Sequence, residues 1–160
     1  MLAHHEFSYT ANTTMNFDTT LGLAIALGFV LIENPVVTPV VLLPILLRGS
    51  YKVVMGIDPP AELSKGFWPV WLVSVLASIP FVLIFGSLPP LPTNDGNMNR
   101  LLILQAGAIL LTSCVTQTIW LSRAPFAVSL MHATKISVLA TGIRLGCYLV
   151  GAAIVYFALK

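Results

Sequence analysis

The sequence predicts an all-α integral membrane bundle of about four transmembrane helices, the first kinked or broken by proline. Three observations predict it. Of 160 residues, 57% are hydrophobic and 9% charged, where a soluble domain carries roughly 25% charged residues. Four apolar runs stand out, each long enough for the ~20 residues of a spanning helix. These runs are continuously apolar rather than alternating, which does not fit a lipid-facing barrel.

The chain reads as a single membrane domain, 1–160, with an outer polar arm over 1–20 and spans at about 21–47, 67–86, 101–121 and 136–159. The start, Met1-Leu2-Ala3-His4-His5-Glu6, has no positive n-region, and no small-residue cleavage pattern ends the first run. That run is expected to be a retained span rather than a signal peptide. Between spans, 87–96 is proline-rich and then turns, Gly56–Pro60 followed by Glu62 leads into a short interfacial segment, and Pro125–Lys135 suggests an interfacial helix.

Cations set the expected orientation. Arg48, Lys52 and Lys65 follow the first span and Arg123 and Lys135 the third, whereas the other face has only Arg100 and Lys160. The bias predicts both termini on the outer (periplasmic, lumenal or intermembrane) side. Trp68, Trp71 and Trp120 then fall at the inner interface, where amphipathic rings settle. A net charge of +2 without a basic stripe argues against nucleic-acid binding.

The first span reads Leu31-Ile32-Glu33-Asn34-Pro35-Val36-Val37-Thr38-Pro39, with Pro44 beyond. Each proline removes an N–H and crowds the carbonyl four residues back. Asn34-Pro35 resembles an N-cap followed by N1, so a second helical piece is expected there. The helix break is assigned to Asn34, Pro35 and Pro39. Glu33 lies beside it, about 18 Å into the span at 1.5 Å per residue. A carboxyl at that depth is an ion or proton site, a buried pair that fixes packing, or a sign that the span ends nearby. Arg144 lies about 12 Å into the fourth span. It either snorkels to the interface or meets Glu33, since antiparallel helices bring the two to similar depth.

Gln105, Thr112 and Thr116 form a polar stripe within roughly 40° on a helical wheel, flanked by Ser113 and Gln117. Interhelical hydrogen bonding is its expected role. Gly142 and Gly146 have the spacing of close helix packing, against a helix of this chain or another. Cys114 and Cys147 lie in apolar runs and read as packing residues. His132 is a candidate axial ligand for haem or chlorophyll, and His4-His5-Glu6 for a metal, though solvated terminal histidines are the commoner case. No metal site is assigned. Asn12-Thr13-Thr14 is a sequon of consequence only in a secretory pathway.

No HExxH, GxSxG, P-loop or GxGxxG motif occurs, so no enzyme activity is expected. The expected function is a small non-catalytic subunit, with a scaffolding or interface role, in a larger energy-transducing (respiratory or photosynthetic) membrane complex. Other membrane subunits and lipids are the expected partners. The alternative is a small oligomeric transporter or channel using Glu33 at a broken helix as its ion or proton site.

Overall fold

In the computed structural model, residues 17–86, 96–123 and 125–159 are described. The polar arm before Phe17, with His4, His5 and the Asn12 sequon, lies outside them, as does the proline-rich loop 87–95. The described residues are helical, without a strand: α1 (Phe17–Ile32), a π-helical turn (Thr38–Leu42), α2 (Leu43–Met55), a 3-10 turn (Ala61–Ser64), α3 (Phe67–Gly86), α4 (Gly96–Ser122) and α5 (Leu130–Ala158).

Local chemistry explains the ends. Pro35 cannot continue α1, and the Asn34 side chain caps the next helical piece, accepting from the N–H groups of Val36 at 2.9 Å and Val37 at 3.2 Å. The Thr38 hydroxyl donates to the Ile32 carbonyl, one of those left open at the end of α1. Gly56 ends α2 in the left-handed region at φ 71°, where a glycine is unstrained. Ser129 caps α5 by accepting from the His132 N–H.

Several boundaries differ from expectation. α1 takes in residues 17–20, which the sequence assigned to the arm, and α4 begins at Gly96. Residues 125–129 are turn and coil rather than an interfacial helix, and α5 starts at Leu130 rather than 136. The Ser129 cap supplies the reason: it starts the helix at Leu130, about one and a half turns before the apolar run.

α5 is the spine. Near its C-terminal end it carries α1, with Phe29 stacked on Tyr148 and Gly28 against the backbone of Ala152. Near its N-terminal end it carries α2, where Leu43, Leu47 and Tyr51 cluster with Ala133, Ile136 and Ala140. α1 and α2 thus follow one another along α5, antiparallel to it. α4 packs on α5, and α3 on α4. The same apolar cluster gathers Leu63, Phe67, Trp71, Leu121 and Val128. It therefore joins the helix ends that carry Arg48, Lys52, Lys65, Arg123 and Lys135. Trp120 stacks obliquely on Phe67 and Phe126 there. In the α2–α3 connection, Lys52 and Asp58 pair at 2.8 Å. The hydrogen bond and charge of Lys52 hold the Asp58 carboxyl below its ordinary value. The pair's contribution is therefore present above the carboxylate range and lost as pH falls through it. Both ends are exposed, so the effect is small.

Beside the buried apolar cluster, large apolar side chains also lie on the outside and polar ones inside. Val30, Ile45, Leu83, Leu111, Leu149 and Phe157 are exposed, while Ser74, Ser78, Ser113, Gln117, Ser137 and Arg144 are buried. Three described helices are long and apolar enough to cross a membrane: Thr38–Met55, Ile103–Ser122 and Leu130–Ala158. Thr20–Ile32 and Phe67–Phe81 are shorter apolar helices.

Close approach within the chain occurs at Gly28 and Gly151, not at Gly142 and Gly146. A Cβ on Gly28 would stand 3.1 Å from the Ala152 nitrogen, and one on Gly151 3.3 Å from Ile32, whereas Gly142 and Gly146 face open space. Gly28→Ala therefore pushes α1 off α5 and is expected to cost about 1–3 kcal/mol. Gly142→Ala is expected to be neutral or stabilising, by up to about 1 kcal/mol. Thermal unfolding of the two variants in detergent checks the contrast; equal melting temperatures would refute it.

Candidate functional site

The break after α1 presents Glu33 at the end of one helical piece, beside the start of the next. Its backbone N–H still donates to the Phe29 carbonyl at 2.8 Å, so Glu33 completes the last turn of α1 and its side chain leaves from a defined position. One carboxylate oxygen, Oε1, accepts from Nη2 of Arg144. The other, Oε2, accepts from the Trp71 indole N–H at 3.1 Å. Both side chains of the pair are withdrawn from the surface, with 1% of Arg144 and 7% of Glu33 exposed.

Arg144 is held from further directions. Its Nη1 donates to Ser113 Oγ at 3.0 Å, and the Gln117 amide donates to the same oxygen at 2.8 Å. Its guanidinium lies 6.0 Å from the centre of the Tyr148 ring, within cation–π range. The site thus draws Glu33 from the α1 end, Trp71 from α3, Ser113 and Gln117 from α4, and Arg144 and Tyr148 from α5. An arginine stays charged under any accessible condition, so in a low-dielectric interior its charge must be met by a partner. Here a carboxylate meets it, and the two formal charges cancel.

The predicted polar stripe divides. Thr112 Oγ1 lies 2.7 Å from the Ala108 carbonyl of its own helix and 3.0 Å from the Ser74 carbonyl on α3, so it links α3 to α4. Thr116 bonds only within α4, to the Thr112 carbonyl at 2.7 Å. Gln105 is half-buried and takes no part in the Arg144 network. One position further round, Ser113 bonds Arg144 and Gln117 bonds Ser113. Trp71, at 8% exposure, points into the bundle, whereas Trp68 is nearly half exposed. Tyr148 carries no signal beyond its spacing, four residues after Arg144 and so on the same helical face. His132 lies in the first turn of α5, its Nδ1 2.7 Å from Ser129 Oγ. Among the described residues no cluster of three metal-ligating side chains occurs.

The fold and site define a class: an all-α protein with helices able to span a membrane, fastened internally by a buried ion pair. No family model, curated protein or solved structure matches the chain.

Removing one partner strands the other charge, so Glu33→Gln and Arg144→Gln are each expected to cost about 3–5 kcal/mol. The double variant Glu33→Leu/Arg144→Met is expected to cost much less than their sum. Unfolding titrations of the reconstituted chain measure the cycle, and additive losses would show that the two groups do not interact. Trp71→Phe keeps the ring packing and removes the donor, for an expected loss of about 1–3 kcal/mol.

Proposed function

We propose that this chain is a small non-catalytic membrane subunit that scaffolds, or closes an interface in, a larger complex. It crosses the bilayer four times, α1 and α2 forming one broken crossing and α3, α4 and α5 the others, with both termini on the outer side. The observation that carries the reading is the anchoring of Glu33: each carboxylate oxygen accepts from a donor on another helix of this chain, Arg144 on α5 and Trp71 on α3. These bonds commit Glu33 to holding helices together, and the Arg144 charge beside it opposes a resident cation. The open faces support the same reading. Gly142 and Gly146, beside exposed Val138, Leu145 and Leu149, form a smooth strip on α5 that none of the described helices covers, and small residues favour close helix approach.

The topology has support of its own. α1 and α2 pack in succession along one antiparallel helix, and five cations cluster at one end of the bundle. Reagents confined to the outside of intact cells are expected to label tags at both termini and to spare Ala61→Cys in the α2–α3 connection. Labelling of Ala61→Cys alongside the termini would overturn the arrangement.

Gentle detergent extraction from the native membrane tests the role. Other subunits in fixed stoichiometry are the expected companions. A pure homo-oligomer whose ion flux in liposomes disappears in Glu33→Gln would instead establish the transporter or channel.

A further inference from the structure

A second set of polar groups lies on α5, and the Glu33 bonds do not use it. Ser137, Thr141, Arg144 and Tyr148 follow one another at spacings of four, three and four. That places them within about 60° of arc over about 16 Å of helix. On each, a buried polar atom lacks a protein partner: Ser137 Oγ, Thr141 Oγ1, Arg144 Nε and Tyr148 Oη. Gln117 Oε1, on the neighbouring α4, is in the same condition.

Two of these hydroxyls stand out from the rest. Ser74, Thr112, Thr116, Thr118 and Thr134 each donate to the carbonyl four residues back in their own helix, the usual resource of a hydroxyl in an apolar helix. Ser137 and Thr141 do not. Their oxygens bond neither the helix backbone nor any other protein group, and both lie within the bundle.

We infer that this row binds a file of ordered water molecules, running from the N-terminal half of α5 to the Glu33–Arg144 pair. A buried polar group left unmet is costly, so the row as a whole demands a ligand. Its chemistry selects water. Arg144 Nε offers a proton, Gln117 Oε1 accepts one, and the three hydroxyls do either. A free anion would face Gln117 Oε1 and Glu33, and a resident cation would face Arg144, while the ion pair is already neutral. The file gives the buried pair contact with water from one membrane face, and with it a route for proton exchange that a dry core lacks. This stands independently of the subunit role.

Silver ion, a small cation that bonds thiolate sulfur as the thiol proton leaves to water, is the probe. In a Cys114→Ala/Cys147→Ala background, single cysteines replace Ser137 or Thr141 in the row, or Val138 or Leu145 on the exposed face. Each is reconstituted in liposomes with silver on both sides, and the surviving thiol is counted after denaturation. Reaction at 137 and 141 is expected to be about tenfold faster or more than at 138 and 145, because hydrocarbon excludes ions. Equal rates, or protection at 137 and 141, would overturn the inference. The replacements in the row are nearly isosteric, and either site alone decides.

Discussion

An arginine that cannot shed its charge, set among apolar helices, is the constraint on which the rest of this structure depends. Its neutralisation requires a carboxylate, and the carboxylate must arrive from an antiparallel element at matching height. Glu33 meets that condition because α1 stops beside it: an uninterrupted helix would fix the side chain by helical period alone, whereas the break sets it at a helix end. Trp71 then takes the oxygen that Arg144 leaves, and Ser113 takes the nitrogen that Glu33 leaves. Each bond meets a group that would otherwise be left unmet in a low-dielectric interior.

The proline-rich break has its own compensation. Pro35 and Pro39 deprive the backbone of donors, and stopping α1 frees carbonyls. Asn34 and Thr38 answer with side-chain bonds to the backbone on both sides of the gap, so irregular backbone is tolerated at this depth because protein satisfies it. The π-helical turn from Thr38 to Leu42 is the continuation of the same adjustment, a widened helix directly after the gap.

Much of this could be read from the residues themselves, and the reason is physical. Four long apolar runs with sparse charge leave few soluble alternatives, so helices and their approximate positions follow from composition and proline placement. Glu33 and Arg144 were identifiable because an isolated charge in an apolar run calls for a partner. What the sequence could not disclose was the rotation of each helix about its axis. Thr112 and Thr116 point towards α3 or along α4, while Ser113 and Gln117, only about 100° further round, face Arg144. The same uncertainty hid Trp71, since a tryptophan near a helix start serves equally as a rim anchor or a core donor. It also left open which helix Gly142 and Gly146 would meet, because spacing reveals a smooth strip without saying whether this chain covers it.

The pair's place in the chain shapes what it can do. Glu33 and Arg144 are 111 positions apart, and Trp71 and Ser113 fall between them, so a single polar cluster ties together the α1 end, α3, α4 and α5. Hydrophobic contact cannot do this between helices in lipid, because the tails are as apolar as the side chains and reward no particular arrangement. A directional network does reward one, since each bond needs a set distance and angle and rotating a helix breaks it. The apolar outer faces, free of such demands, are left smooth and available. A bundle whose helix rotations are set by a few internal polar groups can thus leave its outer faces to its surroundings.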